Sequence, residues 1–331
     1  MKVVLGLSGG VDSAVAAKLL QEQGLEVIGL YMDNGLPGAE AAQSVADYLG
    51  IPLLLRDARE DMEEHVCRPF VESYLRGETP NPCILCNPAV KFRLLLEAAN
   101  ELGADYIATG HYAVAKDGAL YKGNPANDQS YMLCRLTREQ TQRLLLPLGP
   151  FPKSEVRAMA AEMDLPVANK PDSMDICFIP DKDYAAYIEK RGTVPPPGDF
   201  ILDGKPAAKH KGIHHYTVGQ RKHFGIGFGK RVYVSAIDPE TNRVYLSDDD
   251  EVWSDTVSVR DVHWLIPTPE ETVECTVRIR HSRKELPVAQ LTATESGASV
   301  VFSEPVRAPT PGQTAAFYQG DRLIGGGFIS K

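Results

Sequence analysis

No stretch of this 331-residue sequence contains the lysine-bearing P-loop pattern of kinases and GTPases, and none shows an internal repeat or a low-complexity segment. No apolar run approaches the roughly 20 residues that a membrane-spanning helix needs. The apolar N-terminal stretch is short and lacks the flanks of a signal peptide. These absences predict a globular, cytoplasmic protein without membrane contact. With 43% hydrophobic residues, the chain can bury the cores of two or three domains.

Cysteine is scarce, with six residues in the chain, and three of them stand in chemically suggestive places. Cys83 and Cys86 form a Cys-x-x-Cys motif, and Cys177 lies in a second predicted loop. Such a motif is more typical of metal binding or catalysis in a reducing compartment than of a structural disulfide. Both loops precede predicted helices, near Lys91 and Asp181, whose N-termini would stabilise thiolates. The remaining cysteines are predicted to pack in the core as helix or strand residues: Cys67, Cys134 and Cys275.

A glycine-rich loop joins the first predicted strand, at residues 3–7, to a predicted helix at residues 14–23. The loop reads Ser8-Gly9-Gly10-Val11-Asp12-Ser13. Two glycines let the backbone turn sharply and present several N–H groups to one anion, and the helix N-terminus adds partial positive charge. The serine hydroxyls can donate to phosphate oxygens, and a carboxylate beside that anion suits Mg²⁺. The pattern favours a pyrophosphate-binding loop over an ordinary turn capped by Asp12.

Strands and helices alternate up to about residue 190. This alternation is typical of an α/β fold with a doubly wound parallel sheet, whose ligands bind at the carboxyl ends of the strands. Thr137 and Lys153-Ser154 are predicted to open two further helices with caps. The other predicted elements are buried strands at 3–7, 26–32, 52–57 and 106–111, and amphipathic helices at 39–49 and 91–102.

The prolines at 195–197 interrupt this alternation and mark a domain boundary. Beyond them, a small mixed α+β region is followed, from about Trp253, by strands with period-two alternation that predict an all-β barrel. The sequence therefore predicts three domains, covering residues 1–192, 193–252 and 253–331.

Charge is distributed unevenly along the chain. The formal net charge is −9, yet no acidic residue occurs between Lys205 and Ser235. A second basic cluster runs from Arg278 to Lys284. Such patterns are typical either of a polyanion-binding surface or of a solvated basic face. The basic segment, as we call residues 205–231, contains Lys205, Lys209, Lys211, Arg221, Lys222, Lys230 and Arg231, interleaved with His210, His214, His215 and His223.

A series of motifs runs along the chain: Gly6–Ser13, Thr79–Pro82, Cys86-Asn87, Lys91-Phe92, Ala108–Tyr112, Asp128–Tyr131, Asp172-Ser173, Ile176–Phe178, Gly219–Lys222 and Thr310–Gln313. In this order they resemble the motifs of the bacterial tRNA-specific 2-thiouridylases, members of the ATP pyrophosphatase superfamily. The resemblance covers nearly the whole length. It implies that ATP adenylates the C2 carbonyl of the wobble uridine in tRNA, and that sulfur then displaces AMP.

The resemblance also implies roles for individual residues. Cys86 would be the catalytic nucleophile, Cys177 the carrier of a persulfide, and Asp12 the carboxylate that serves the Mg²⁺-nucleotide. Residues 1–192 would form the catalytic domain, and residues 193–252 would contact tRNA. The implied ATP-binding residues are Gly6, Leu7, Ser8, Gly9, Gly10, Val11, Asp12, Ser13, Met32 and Gly110. The implied contacts with the target base or tRNA are Asn81, Pro82, Cys83, Asn127, Asp128, Gln129, Arg221, Lys222, Arg280 and His281.

The sequence departs from the family's pattern in the cysteine motif. Cys83 stands where many relatives carry Asp, Pro88 where a basic residue is expected, and the segment after Met32 is short. Three thiols would suit a four-iron four-sulfur cluster with one iron open to hydrosulfide. A persulfide route through Cys177 and Cys86, fed by a sulfur-relay protein, and a zinc site are the alternatives.

Two other functional classes share some of these features. Another ATP pyrophosphatase-type tRNA thiolase or an adenylating synthetase would share the ATP loop without needing these cysteines. An RNA-binding protein with a metal knuckle would bind tRNA without converting ATP to AMP.

Overall fold

The computed structural model describes residues 1–171, 176–248, 252–281 and 284–330. The motif Asp172-Ser173 lies outside these residues, as do Ser282 and Arg283 of the second basic cluster. The chain divides into two compact units. Unit 1 comprises Met1–Val66, Cys83–Phe178 and Tyr318–Gly325, and unit 2 comprises Cys67–Pro82, Ile179–Phe317 and Gly326–Lys331.

The first half of the chain alternates helices and strands, as predicted. Its elements are β1 (Lys2–Gly6), α1 (Val11–Glu22), β2 (Glu26–Asp33), α2 (Ala39–Leu49), β3 (Leu53–Asp57), α3 (Arg59–Met62), α4 (Arg68–Leu75), α5 (Pro82–Cys86), α6 (Phe92–Glu101), β4 (Tyr106–Ala108), β5 (Ala113–Lys116), β6 (Ala119–Lys122), α7 (Arg138–Gln142), β7 (Leu144–Leu145) and α8 (Lys153–Glu162). Short π-helical segments lie at Glu63–Cys67 and Asn87–Lys91, and a 3₁₀ turn lies at Ser130–Leu133.

The second half is mainly strand. Its elements are α9 (Tyr184–Arg191), β8 (Asp199–Leu202), β9 (Lys205–Lys209), a 3₁₀ turn at Ile213–His215, β10 (Tyr233–Asp238), β11 (Arg243–Ser247), β12 (Trp253–Trp264), β13 (Thr276–Arg278), β14 (Leu286–Thr294), β15 (Gly297–Arg307), β16 (Thr314–Gln319) and β17 (Arg322–Ile329).

Unit 1 is built on a five-stranded sheet in the order β3-β2-β1-β4-β7, and every neighbouring pair is parallel. Val3, Val4 and Leu5 of β1 are fully buried, as expected of a strand covered on both faces. Because β1 pairs with both β2 and β4, the strand order reverses beside it, and the loop after β1 lies where such sheets bind ligands. The predicted doubly wound α/β class is confirmed.

Unit 2 contains two β structures. A four-stranded sheet has the order β10-β11-β8-β9, and it mixes parallel and antiparallel pairs. The other sheet follows the order β12-β15-β14-β13-β16-β17-β6-β5, and an additional pairing of β12 with β17 closes its first six strands into a ring. Closure leaves no unpaired edge, which is how a small antiparallel sheet avoids self-association. The predicted mixed region and C-terminal barrel are thus confirmed as fold classes.

Two of the three predicted helix starts after residue 130 are confirmed. Thr137 caps α7 in a reciprocal capping box with Gln140, as predicted. α8 begins at Lys153, as predicted, but Pro152 occupies the N-cap position without the expected side-chain hydrogen bond. The helix expected at Asp181 begins at Tyr184, where the carboxylate of Asp183 accepts the N–H of Ala186.

The cysteine motif lies in a helix rather than in the predicted loop. Pro82 is the first residue of α5, a position that needs no N–H donor, and helical structure continues through the π-helical segment into α6. Pro88 lies inside this segment, where a wider turn accommodates the missing N–H of proline. The carbonyl of Pro88 accepts a hydrogen bond from Gln140 Nε2 at 2.8 Å. The motif therefore lies in continuous helical structure that runs from Pro82 to Glu101.

Candidate active site

The loop after β1 depends on its two glycines for its shape. Gly9 has φ +67°, and a Cβ there would lie 2.6 Å from the backbone nitrogen of Ala42. Any other residue would therefore meet both backbone strain and a steric clash. Gly10 has an extended conformation and is the N-cap of α1, with no side chain between the loop and the first helical N–H groups. The result is an open, positively polarised anion site.

The two serines of the loop play different roles. The Ser13 hydroxyl donates to the carbonyl of Gly10 at 3.1 Å and accepts the N–H of Ser8 at 3.2 Å. Ser13 is buried, so its side chain holds the loop together. Ser8 is exposed, and its hydroxyl lies 3.2 Å from that of Ser13. Of the two predicted phosphate donors, Ser8 is the one that faces solvent.

Asp12 is surrounded by side chains from distant parts of unit 1. Lys153 Nζ lies 2.6 and 2.7 Å from its two carboxylate oxygens, and the Tyr112 hydroxyl donates to the same carboxylate at 2.6 Å. Lys170 Nζ donates to the carbonyl of Gly9 at 2.8 Å. Neither lysine was predicted from the sequence as a site residue. Their separations from the loop, 141 and 161 residues, leave no local pattern that could have found them.

The other predicted nucleotide contacts also lie at the carboxyl edge of the sheet. Gly110 follows β4, and a Cβ there would lie about 3.0 Å from the backbone of Asp12. This position therefore needs glycine for close approach to α1. Met32 lies near the end of β2 and is partly buried. The structure brings Gly110 close to the loop, and the contact of these residues with ATP stays a prediction.

Cys83, Cys86 and Cys177 lie close enough to influence one another's ionisation, although they come from two separate segments. Cys83 and Cys86 are three residues apart on α5, a spacing that places both on one helix face. Cys83 and Cys177 are exposed, whereas Cys86 is partly buried, with its sulfur 3.9 Å from Met62 Sδ. All six cysteines of the chain are thiols.

The helix N-termini do not activate Cys86 and Cys177 as predicted. The pKa of Cys86 is raised to about 11, chiefly by burial, against the opposing effect of the Lys91 ammonium and with smaller increases from Cys177 and Cys83. Burial and then Cys83 raise the pKa of Cys177, again against Lys91. Cys86 lies beyond the first turn of the continuous helical structure that begins at Pro82, so it is not at a helix N-terminus. Both thiols are therefore protonated at neutral pH, and the expectation of stabilised thiolates was wrong.

The remaining cysteines are buried, as predicted. Burial raises the pKa of both Cys134 and Cys275 to about 12. Cys134 follows a 3₁₀ turn rather than lying in a strand, and Cys275 directly precedes β13. Core packing explains all three residues, counting Cys67 at the end of the first π-helical segment.

Zinc is disfavoured at the three candidate thiols by their spacing. Within the described parts of the chain, the set of three ligand residues whose ligand atoms lie within 4.8 Å of one another is Glu189, His214 and His215. The cysteines do not form such a set. Tetrahedral zinc thiolates need sulfur atoms about 3.8 Å apart, given Zn–S bonds of about 2.3 Å. A four-iron cluster is a larger cage and does not require that proximity.

The predicted tRNA contacts at residues 127–129 have internal partners. Asn127 Oδ1 accepts the backbone N–H of Lys153 at 3.0 Å, which positions the start of α8. The buried Asp128 carboxylate accepts hydrogen bonds from Gly123 and Ser130. Gln129 Oε1 accepts the N–H of Tyr112 at 3.1 Å. These side chains hold the residues around Asp12, and their predicted contact with tRNA stays a prediction.

The motifs near residues 79 and 310 come together within unit 2. Thr79 Oγ1 lies 3.0 Å from Thr217 Oγ1, and Gln313 Nε2 donates to the carbonyl of Thr79 at 2.7 Å. Gly312 has φ +86°, and a Cβ there would lie 2.8 Å from Glu78 Cβ. The Thr-Pro-Gly-Gln motif therefore fixes the chain just before Asn81 and Pro82, the residues predicted to face the target base.

Tertiary neighbours divide the basic segment into paired and exposed residues. Lys209 forms an ion pair with Asp199 at 2.8 Å, and Lys230 lies 3.4 Å from Asp203 and 3.5 Å from Asp248. These carboxylates lie outside the segment in sequence. Arg221 and Lys222 are exposed, and the described residues include no ion pair for either. Arg221 and Lys222 are therefore better placed than Lys209 and Lys230 to contact phosphates, and that contact stays a prediction.

Histidines of the basic segment serve the fold. His210 is buried; its Nδ1 accepts the N–H of Gly212, and its Nε2 lies 3.1 Å from the carbonyl of Asn242. Burial lowers the pKa of His210 and of His215, so neither adds positive charge at neutral pH. His214 is also buried.

The second basic cluster also contains both buried and exposed residues. Arg278 is buried and pairs with Glu285 at 2.9 Å, so it is unavailable to a polyanion. Arg280 is exposed and donates to the carbonyl of Arg307 at 2.6 Å. His281 is exposed as well. Contact of Arg280 and His281 with tRNA stays a prediction.

A parallel α/β sheet with a glycine-rich anion site after its central strand defines a nucleotide-binding enzyme class. Family models match the chain at residues 1–181 ("tRNA methyl transferase HUP domain"), 186–248 ("tRNA methyl transferase PRC-barrel domain") and 254–329 ("Aminomethyltransferase beta-barrel domain"). The first match covers more than half of the chain.

Curated relatives match the chain over its whole length. The "tRNA-specific 2-thiouridylase MnmA" of Carboxydothermus hydrogenoformans is 43% identical, over 100% of this chain and 98% of the relative. That of Acetivibrio thermocellus is 44% identical, over 99% of each. The chain belongs to the tRNA-specific 2-thiouridylase family.

Among solved structures, a 4-thiouridine synthetase–RNA complex with bound ATP is 19% identical, with a TM-score of 0.39 over 57% of this chain and 50% of that chain. The NMN synthetase of Francisella tularensis is 20% identical, with a TM-score of 0.34 over 52% and 66%. Likeness at this level supports no inference about function. In the described part of the chain, no helix is long and apolar enough to span a membrane.

Proposed function

We propose that this protein installs sulfur at C2 of the wobble uridine of tRNA by adenylating the C2 oxygen with ATP and displacing AMP with sulfur. The observation that carries the proposal is the presence, in one compact unit, of an anion-binding loop and three interacting thiols. A carbonyl oxygen leaves poorly unless it is activated, so ATP and sulfur chemistry are needed together. Full-length similarity to 2-thiouridylases supports the same function.

In this proposal, the backbone at Gly9 and Gly10 and the exposed hydroxyl of Ser8 bind the phosphates of ATP. Lys153 and Lys170 already lie at the loop, so their ammonium groups offset the phosphate charge. The partly exposed Asp12 carboxylate fits Mg²⁺, which prefers oxygen ligands and would neutralise charge on the leaving pyrophosphate. Met32 and Gly110 lie where the rest of the nucleotide would extend along the carboxyl edge.

The three thiols supply the sulfur step. Cys83, Cys86 and Cys177 present soft donors from two segments, and three such ligands fit a four-iron cluster that leaves one iron without a protein ligand. Such a cluster, when bound, would hold exogenous hydrosulfide for attack on C2. Cluster ligation requires loss of the thiol protons, and the nearby Lys91 favours that loss. We favour this arrangement because Cys83 adds a third donor to the family's two.

The persulfide route is the alternative use of the same thiols. A persulfide on Cys177 would attack C2 with its terminal sulfur, and AMP would leave. Cys86 would then attack the Cys177 sulfur, releasing the thiocarbonyl and forming a disulfide that an external thiol reduces. Cys83 would have no required role in this route. The sulfur donor would be a persulfide-carrying relay protein instead of sulfide.

The rest of the chain would position tRNA. Arg221, Lys222 and Arg280 are exposed cations suited to phosphates, and a wobble base in a single-stranded loop can be splayed out at low cost. We keep the division into domains 1–192, 193–252 and 253–331 as part of this proposal. We also place the reaction in the cytoplasm, where the six thiols stay reduced.

The proposal is tested by assaying 2-thiouridine formation in transcribed tRNA with purified protein, ATP and a sulfur source. Cys86→Ser and Cys177→Ser should each reduce product below detection, whereas Cys275→Ser, at a buried thiol in unit 2, should retain thiolation. AMP should form in a tRNA-dependent way. Thiolation by either site variant would remove that residue from the proposed chemistry, and product other than 2-thiouridine would favour a different thiolase or synthetase.

Cys83 separates the two sulfur routes. Anaerobically reconstituted protein should bind about four irons and four sulfides per chain and thiolate tRNA from sulfide alone, and Cys83→Ala should lose both properties. If metal-free protein thiolates tRNA from a persulfide donor, and Cys83→Ala does so equally well, the cluster is excluded and the persulfide route stands.

A further inference from the structure

Unit 2 brings together two histidines and a glutamate that the thiolation chemistry does not use. Glu189 lies on α9, and His214 and His215 form the end of the 3₁₀ turn at Ile213–His215. The Nε2 atoms of His214 and His215 lie 3.2 and 3.3 Å from the same oxygen, Oε1 of Glu189. All three ligand atoms lie within 4.8 Å of one another. Nothing in the sequence motifs pointed to this grouping.

These distances match the geometry of a tetrahedral metal site. Nitrogen and oxygen ligands lie about 2.0–2.1 Å from Zn²⁺, so neighbouring ligand atoms in a tetrahedron are about 3.3–3.4 Å apart. The two nitrogen–oxygen distances are already close to this value. The imidazole rings, whose centroids are 4.3 Å apart, are tilted by 37° and therefore present separate nitrogens to the carboxylate.

The site is enclosed on one side and open on the other. His214 is almost fully buried, whereas the Glu189 side chain is 46% exposed, so the site has one side open to water. A neutral imidazole binds a metal through the ring nitrogen that carries no proton, so each ring would bind the ion through Nε2 with its proton on Nδ1.

We propose that Glu189, His214 and His215 bind one divalent transition-metal ion of the Zn²⁺ type, with water as the fourth ligand. The ion joins α9 to the 3₁₀ turn at Ile213–His215. This turn leads into residues 216–222 of the basic segment. The hydroxyl of Tyr184, on the same helix, already donates to the carbonyl of His215 at 3.3 Å. The proposed metal is structural and independent of the thiol chemistry in unit 1.

The test is a zinc titration of chelator-stripped, full-length protein, with bound Zn²⁺ measured by competition with a chromophoric chelator. His215→Gln and Glu189→Gln should each bind one equivalent less than wild type. His223→Gln, at an exposed histidine of the same basic segment, should bind as much as wild type. The comparison between variants subtracts zinc bound elsewhere on the protein, which is the same in all four proteins.

Two further readouts separate a metal site from a hydrogen-bonded cluster. Saturating Zn²⁺ should raise the Tm of wild type and His223→Gln by roughly 5 °C, and this rise should be absent in His215→Gln and Glu189→Gln. Co²⁺ substitution should give visible absorption from a nitrogen–oxygen site that both variants lose. Equal zinc stoichiometry in all four proteins, or the same Tm shift in all of them, would overturn the proposal.

Discussion

The anion-binding loop and the thiol cluster lie in the same unit, but they obtain their chemistry in different ways. The loop presents backbone N–H groups, and its shape follows from a positive φ at Gly9 and an uncapped helix start at Gly10. The cluster presents side chains from two segments nearly a hundred residues apart, and their protonation depends on burial and on Lys91. A backbone site can be predicted from contiguous residues, whereas a side-chain site depends on tertiary packing.

The largest expected effect tests the carboxylate that the loop adds to its backbone N–H groups. Asp12→Ala should reduce tRNA-dependent AMP formation by at least about 10³-fold, because no carboxylate remains to serve the Mg²⁺-nucleotide. Affinity for tRNA, measured by filter binding, should stay nearly intact. Asp47→Ala, at an exposed position on α2, is the control and should behave as wild type. Loss of both activities in Asp12→Ala would point to misfolding instead.

Alkylation tests whether burial raises the pKa of a thiol in the cluster. Because the pKa of Cys86 is raised to about 11, its thiolate fraction should increase about tenfold per pH unit below that value. In metal-free protein, iodoacetamide labelling of the Cys86 peptide should therefore rise about 10³-fold from pH 7 to pH 10. Glutathione in the same tube should level off near pH 9. A plateau of Cys86 labelling near pH 8 would show that its thiol is not desolvated.

A substitution at Lys153 tests whether a side chain far from the loop in sequence contributes to ATP binding there. Lys153→Met should raise the KM for ATP about tenfold, or about 1.4 kcal/mol, since one cation beside the phosphates is lost. In the double variant with Asp12→Ala, the effects of the two substitutions on kcat/KM for ATP should not add, because the two side chains contact each other at 2.6 Å. Lys116→Met, at an exposed position on β5, should leave the KM unchanged. Full additivity would mean that the ion pair has no role in nucleotide binding.

The smallest expected effect compares exposed and paired cations of the basic segment. Replacing Arg221 and Lys222 by Ala should flatten the salt dependence of tRNA binding by about 0.7–0.9 per lost phosphate contact. Replacing Lys209 and Lys230 should change the slope less, because carboxylates already neutralise them. If the salt dependence of tRNA binding has the same slope in both variants and in wild type, the basic segment is a solvated basic face that does not contact tRNA phosphates.

Features that depend on neighbouring residues were predicted more accurately than features that depend on tertiary contacts. The parallel sheet, the loop and the capping box at Thr137 were predictable because each depends on neighbouring residues. The helical cysteine motif was not, because Pro80 and Pro82 suggested a rigid loop while Pro82 instead begins α5. The activated thiolates were not found either, because a pKa depends on burial and on charges that the spacing of a motif does not reveal.

The sequence by itself determined the fold class, the anion-binding loop and the family, because strand periodicity, glycine conformations and ordered motifs are all written along the chain. Only the tertiary structure decided which side chains meet. It paired Lys153 with Asp12, brought Cys177 to the Cys83–Cys86 helix, set Asp199 against Lys209, and joined Glu189 to His214 and His215. The physical reason is that electrostatic interactions and ligand geometry act across short distances in space, irrespective of separation along the chain.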